Sequence, residues 1–358
     1  MTEAEAMSRA LTLAWRGWGR VHPNPLVGAV VLRDGMVVGE GWHAEFGGPH
    51  AERVALEQAG DAARGATLVV SLSPCQHQGK QPPCTDAIIE AGIARVVIAL
   101  DDPNPEAAGG AAVLADAGIA VELGLASDRA AAQNAAFLHR HRDARRPWVA
   151  LKLATSVDGR IADSTGQSQW ISGDAAREWV HWLRAGFDAI AVGAGTVAKD
   201  DPSLTVRGAV TPRIVPLRVI LDDTLTTTAD SRLVDTAGEA PTMVFTAYAR
   251  ASTPAATALV RAGVTVQPMH DLADGLHQLR EQGVERLLVE GGARLAGALF
   301  SAALVDRFYH VQSPVWLGDH AREAFVGIGD TMLADAPRWR VVEQRALGQD
   351  TLIVMDRP

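Results

Sequence analysis

Apolar residues recur every three to four positions through Met7, Leu11, Ala14, Trp15 and Trp18, and predict an amphipathic helix. Thr2 and Glu5 are spaced to start it as a capping box. The period then changes. Apolar runs at 27–32 and 36–41 flank Asp34-Gly35, the dipeptide of a tight hairpin. Between helix and hairpin, the prolines of Pro23-Asn24-Pro25 fix the backbone around Asn24. A helix opening at His50 and running to about Gln58 comes next. Strands over 67–72, 95–100 and 119–123 are then expected to alternate with a helix over 84–90 and another near Ala111. A long helix over 126–141 closes the stretch. This order predicts a three-layer α/β domain.

The basic run 139–146 reads as a solvated helix end, and with Pro147 it places a division between residues 1–145 and 146–358. From Trp148 the pattern restarts. A strand over 149–154 is followed by a turn at Ser156-Val157-Asp158-Gly159, and Ile161 resumes. A helix over 173–186 leads to a strand over 189–193 that ends in Gly195-Thr196. Further strands are expected at 218–221, 242–246, 264–268 and 286–290. The last runs into Gly291-Gly292 and a helix over 293–299. Strand, glycine pair and helix N-terminus suit a phosphate or dinucleotide, although the Gly-x-Gly-x-x-Gly spacing is absent.

At 358 residues the chain suits two domains. No apolar run is long enough to cross a membrane. A net charge of −9 and 5% aromatic residues argue against a broad basic surface for nucleic acid. They leave room for a small phosphorylated substrate. The acidic start lacks the pattern of a targeting peptide, which implies the cytoplasm. Of 33 basic residues only Lys80, Lys152 and Lys199 are lysine, each beside a motif. A compact ammonium is not interchangeable with guanidinium, so at least two of these lysines are expected to touch substrate or cofactor.

Chemistry concentrates in His50-Ala51-Glu52, Ser73-Pro74-Cys75 and Pro82-Pro83-Cys84, which hold both cysteines of the chain. His and Cys are preferred zinc ligands, and three of them leave a fourth position for water. Glu52 lies close enough to serve that water. A His-x-Glu followed by Pro-Cys and a second Cys is the signature of zinc deaminases acting on amino-pyrimidines and purines. Helix starts at His50 and Cys84 favour thiolate and a zinc-activated water. Two other readings stay open: Cys75 and Cys84 as small core residues, or a structural zinc with His77 as fourth ligand.

Taken together these stretches resemble the bifunctional deaminase/reductase family of riboflavin biosynthesis over nearly the whole chain. In the first half the resemblance lies in Pro23-Asn24-Pro25, Val27-Gly28-Ala29-Val30, His50-Ala51-Glu52, Pro74-Cys75-Gln76-His77, Pro82-Pro83-Cys84 and Asp102-Pro103-Asn104-Pro105. In the second it lies in Leu151-Lys152-Leu153, Ser156-Val157-Asp158-Gly159, Gln169-Trp170-Ile171, Asp200-Asp201-Pro202 and Val289-Glu290-Gly291-Gly292. It implies a cytidine-deaminase-like three-layer α/β/α domain and a dihydrofolate-reductase-like α/β domain. The first would deaminate 2,5-diamino-6-(5-phosphoribosylamino)pyrimidin-4(3H)-one. The second would use NADPH to reduce the ribosyl side chain of the resulting aminouracil to ribityl.

By the same resemblance His50, Cys75 and Cys84 hold one zinc and Glu52 shuttles the proton. Asn24, His43, His77 and Lys80 bind the pyrimidine or its phosphate. Ala154, Trp170, Thr196, Asp200 and the segment Gly292, Ala293, Arg294, Leu295, Ala296, Gly297 and Ala298 bind the cofactor. Ser168, Arg184, Leu204, Arg207 and Glu290 bind the second substrate, with Lys152 as a polar participant near the reacting centre. A homo-oligomer built through the reductase half is also implied. The chain departs from the family at Ser73, often Glu, and Gln81, often Thr. Against this stands a nucleoside or tRNA deaminase with a non-catalytic C-terminal module. The tRNA version predicts a basic face, which the composition opposes.

Overall fold

The computed structural model describes residues 1–79, 81–142 and 145–358. The chain forms two compact units, one over Met1–Arg142 and one over the remainder to Pro358. The expected division, at 145/146, lies just beyond the end of the first. No described helix is long and apolar enough to cross a membrane.

In the first unit, α1 (Glu3–Ala14) starts on the Thr2–Glu5 capping box, both of whose bonds are made. Then come β1 (Gly28–Arg33), β2 (Met36–Trp42), α2 (Ala51–Ala59), β3 (Thr67–Val70), α3 (Cys84–Glu90), β4 (Arg95–Ile98), α4 (Gly110–Asp116) and β5 (Ala120–Leu123), followed by α5 (Ser127–Gln133) and α6 (Ala135–Arg142). The sheet runs β2-β1-β3-β4-β5, antiparallel in its first two pairings and parallel in its last two. Alternation along the strands sorts the core into two layers. Val30, Leu32, Val69 and Val97 meet Met7, Ala10 and Leu11 of α1 on one face. Val31, Leu68, Val70 and Ile98 meet Ala55, Leu56 and Ile88 on the other. This is the three-layer order.

The expected closing helix over 126–141 is two helices. Asn134 breaks it: its amide accepts from Leu26 N (2.8 Å) and donates to Leu26 O (3.0 Å), both buried. Two satisfied bonds to a distant backbone outweigh one continuous turn of helix.

The second unit is built on a nine-stranded sheet. Its elements are β6 (Trp148–Ser156), β7 (Arg160–Ala162), α7 (Asp174–Arg184), β8 (Ala189–Gly193), α8 (Ala194–Asp200), β9 (Leu217–Leu221), α9 (Arg232–Asp235), β10 (Thr242–Ala247), α10 (Pro254–Arg261), β11 (Thr265–Met269), α11 (Leu272–Glu281), β12 (Arg286–Val289), α12 (Ala293–Ser301), β13 (Arg307–Ser313), β14 (Arg322–Glu323), β15 (Arg340–Leu347) and β16 (Asp350–Asp356). The order is β11-β10-β9-β8-β12-β6-β13-β16-β15. All neighbours are parallel up to β13, and the last two strands are antiparallel. Helices α11 and α12 cover one face through Leu276, Leu279, Ala296 and Leu299, and α8 to α10 cover the other. Gly195 and Thr196, expected to end a strand, lie inside α8. With helices on both faces, the C-terminal ends of the parallel strands form the natural crevice.

Candidate functional site

Two glycines set the first site. Helix α2 lies so close to β2 that an added Cβ on Gly41 would collide with the Ala51 carbonyl, and one on Gly39 with that of Ala55. That contact seats the start of α2, with His50 at its N-cap and Glu52 in its first turn. Cys84 opens α3. The Cys75 carbonyl accepts from the N–H groups of Cys84 (3.1 Å) and Thr85 (3.3 Å), tying the Cys75 loop to that helix start. Behind the loop, a Cβ on Gly110 would meet the Pro74 carbonyl.

These constraints bring the three donors together. His50 Nδ1 is 3.3 Å from Cys84 Sγ and 3.5 Å from Cys75 Sγ, and the three donor atoms all lie within 4.8 Å of one another. Both thiols are free and buried. A hydrogen bond from Cys84 pulls the Cys75 thiol down to about 4, and donating that bond, with burial, pushes Cys84 up. A divalent cation can displace the protons of two thiols placed this close together. One nitrogen and two sulfurs, three ligands that leave a fourth position for water, is a donor set that fits catalytic zinc. Glu52 is 3% exposed, and burial raises its carboxyl above the ordinary range. A raised carboxyl is suited to exchange protons with a reacting group.

Asn24 and His43 stand beside this triad. His43 Nδ1 donates to the Pro49 carbonyl (3.0 Å), so its Nε2 accepts from the Asn24 amide (3.0 Å). Burial lowers the His43 pKa, keeping the ring neutral. Its ring lies edge-on to that of His50, centroids 5.4 Å apart. His77 is half-buried with Nδ1 unpartnered among the described residues. Nearby Asp102 is pushed up by burial. Lys80 lies outside the described residues. Of the two departures, Ser73 keeps its backbone bond to Leu100 O (2.8 Å) while its buried hydroxyl has no partner among the described residues. Gln81 donates to the Gly47 carbonyl (3.1 Å). Gly39, Gly41 and Gly110 are what sequence reasoning missed, because a close approach shows only when both elements are placed.

The second unit carries a cleft of about 1690 Å³ along the C-terminal ends of β6, β8, β9, β10, β11 and β12. Ala154, Trp170, Thr196, Asp200, Gly292, Ala293, Arg294, Leu295 and Ala298 line it, as do Ser168, Arg184, Leu204, Arg207, Glu290 and Lys152. Ala296 and Gly297 do not. Ala296 is fully buried in the core, and a Cβ on Gly297 would meet the Val326 carbonyl. At the floor, Arg184 holds Glu290 by two bonds of 2.6 and 2.9 Å, and its third nitrogen donates to Thr205 O (2.9 Å). Burial opposes the Glu290 charge, but Arg184 outweighs it and keeps the carboxyl below its ordinary value. Burial pushes the ammonium of Lys152 down against the attraction of Glu290.

Gly292 caps α12, whose first N–H groups have no partners within the helix and open on the cleft. A long cleft with such a helix start fits a dinucleotide. The cleft also passes Asp222 and Asp223 beyond β9 and His270 and Asp271 beyond β11. No motif marked these positions, though the crevice rule for parallel sheets points to them.

A zinc site of deaminase type and a dinucleotide cleft on a mostly parallel sheet define a two-domain deaminase and reductase. Residues 1–100 match the family described as the cytidine and deoxycytidylate deaminase zinc-binding region, and 147–353 match the RibD C-terminal domain. The chain is 41% identical to riboflavin biosynthesis protein RibD of Escherichia coli (strain K12), covering 99% of each, and 40% identical to that of Aquifex aeolicus, covering 98% and 97%. Among solved structures, Acinetobacter baumannii RibD (form 1) aligns with a TM-score of 0.80 at 36% identity, covering 99% of each chain. A Thermotoga maritima diaminohydroxyphosphoribosylaminopyrimidine deaminase/5-amino-6-(5-phosphoribosylamino)uracil reductase aligns at 0.82 and 37%, again over 99% of each. The chain belongs to the RibD family of riboflavin biosynthesis proteins. It is a bifunctional deaminase and reductase that uses zinc and NADPH.

Proposed function

We propose that the first unit deaminates 2,5-diamino-6-(5-phosphoribosylamino)pyrimidin-4(3H)-one and the second reduces the ribosyl chain of the product to ribityl. The observation that carries the first half is the convergence of His50, Cys75 and Cys84 beside a buried Glu52 whose carboxyl burial raises above the ordinary range. His50, Cys75 and Cys84 hold the zinc, which when bound supplies an activated water. Glu52, as the free carboxylate, would accept one proton from the attacking water and deliver it to the ring nitrogen, then pass the proton of the added hydroxyl to the amino group, which leaves as ammonia. Asn24 and neutral His43 hold the pyrimidine edge, and His77 and Lys80 its remaining polar groups.

In the second unit NADPH supplies the reducing equivalent. Ala154, Trp170, Thr196, Asp200 and the start of α12 seat it. Ser168, Leu204, Arg207 and the Arg184–Glu290 pair seat the substrate, and Arg207 meets its phosphate. Glu290 and Lys152 sit where a proton can move as the sugar opens and is reduced. A homo-oligomer in the cytoplasm completes this reading.

The test follows NADPH oxidation and ammonia release by the purified protein given the diaminopyrimidine substrate, with and without prior zinc removal. Oxidation should vanish on zinc removal and return when the deaminated intermediate is supplied. Ammonia release without oxidation, even from the intermediate, would sink the reductase half.

A further inference from the structure

Residues 163–170 form the edge of the reductase cleft that carries Ser168 and Trp170. The turn is rigid within itself. The Asp163 carboxylate accepts from Thr165 N (2.9 Å), the Thr165 hydroxyl (2.7 Å) and Gln167 N (2.9 Å). Backbone bonds link Asp163 N to Gln167 O and Gly166 N to Asp163 O. Two further bonds tie this strap to α8. Lys199 Nζ donates to the Gly166 carbonyl, and the Ser168 hydroxyl donates to the Asp200 carboxylate (3.0 Å). Lys199 and Asp200 are consecutive residues at the end of α8, whose first turn presents Thr196 to the same cleft.

Gly166 is suited to this contact. Its φ is +87°, and the space of a Cβ is taken by the Lys199 ammonium and the Arg322 guanidinium. Only glycine admits both the backbone angle and the close cation. At the far end of the strap Trp170 is 69% exposed. Its ring is braced by the Arg177 guanidinium, 4.7 Å from the ring centroid.

We propose that Lys199 is a positioning residue of the reductase: it latches the 163–170 strap so that Ser168 and Trp170 are held over the NADPH cleft. It acts through the strap, not by touching substrate or cofactor itself. The inference rests on the assignment of this cleft to NADPH.

Binding of NADPH and of NADH to the full-length protein, with dissociation rates by stopped-flow chase, tests it in Lys199→Met, Lys199→Arg and Gly166→Ala. Loss of a charge-assisted bond predicts that Lys199→Met raises Kd about tenfold, mostly through faster dissociation. The effect should be the same for both nucleotides, and Lys199→Arg should recover most of it. Acrylamide quenching of the emission that Trp170→Phe removes should rise in Lys199→Met. Gly166→Ala should reproduce the loss with Lys199 intact. Unchanged dissociation in Lys199→Met would overturn the latch. So would a loss confined to NADPH, since Lys199 would then touch the 2′-phosphate directly. Failure of the wild-type protein to bind NADPH would instead remove the cleft assignment and the latch with it.

Discussion

The two units reach chemistry by opposite means. In the first, three donors converge within 4.8 Å beside one buried carboxylate, all drawn from the stretch between His50 and Cys84. In the second, an open cleft of about 1690 Å³ gathers the ends of six parallel strands, the starts of α8, α9, α11 and α12, and a strap. A metal centre places its function in a few atoms, each irreplaceable. A cleft spreads binding over many weak contacts, and its rigidity comes from what lies beneath. Single substitutions should therefore separate the units: all-or-none chemistry in one, stability and affinity in the other.

The largest expected effect is at Glu52. Glu52→Gln keeps the shape but cannot shuttle a proton, and deamination should fall about 10²–10⁴-fold. Zinc content should stay at one per chain, and reduction of the supplied intermediate should continue at the wild-type rate. Ammonia release, metal analysis and NADPH oxidation measure the three. A parallel fall in reduction would break the contrast.

Next comes the floor of the cleft. Arg184 and Glu290 are each 13% exposed and joined by two bonds. Glu290→Gln leaves Arg184 buried without a counter-charge, which costs about 3–5 kcal/mol when such a pair is broken. Calorimetry should show the melting transition of the second unit moving down while that of the first stays. Adding Arg184→Met should recover part of the loss, because replacing both partners removes the orphaned charge. An unchanged transition in Glu290→Gln would mean that the pair is dispensable to the fold.

Legibility in the sequence follows the same divide. The cluster of His50, Cys75 and Cys84 shows in the sequence because its donors sit at helix starts and a short loop, so spacing stands in for geometry. The alternating elements of the first unit show because its strands sort side chains cleanly between two covered faces. What failed was non-local. Asn134 breaks a helix for a bond to Leu26, far away in sequence. The hydropathy pattern names no strand past Glu290, yet β13, β16 and β15 complete the sheet. Strand β15 is an edge, exposed at most of its positions, so it carries no apolar alternation to read. Ala296 and Gly297 match a cofactor motif, but one helical turn faces both cleft and core, and they take the core side.

A smaller effect is expected at Gly41, where the deaminase site depends on packing. An added methyl must push α2 off β2, because the Ala51 carbonyl occupies its space. Overpacking of this kind costs about 1–3 kcal/mol. Since α2 carries His50 and Glu52, Gly41→Ala should lower zinc occupancy along with stability, and leave NADPH binding alone. Full zinc occupancy together with normal deamination would show that the site does not depend on this contact.

The smallest expected effect is at a departure from the family. Gln81 donates to the Gly47 carbonyl across to the loop before α2. Arg53 holds the same segment from the other side, donating to the carbonyls of Pro82 (3.3 Å) and Pro83 (3.2 Å). Threonine, common at this place in the family, is too short to reach Gly47 along the same line. Gln81→Thr therefore removes one partly exposed hydrogen bond, worth about 1 kcal/mol or less, while Arg53 keeps the loop seated and Cys84 keeps its helix start. The expected outcome is a change in the deaminase KM of about fivefold or less, with kcat and zinc content unchanged. A large fall in kcat would place Gln81 in the chemistry, and the loop would then rank beside Glu52 as a part the first unit cannot lose.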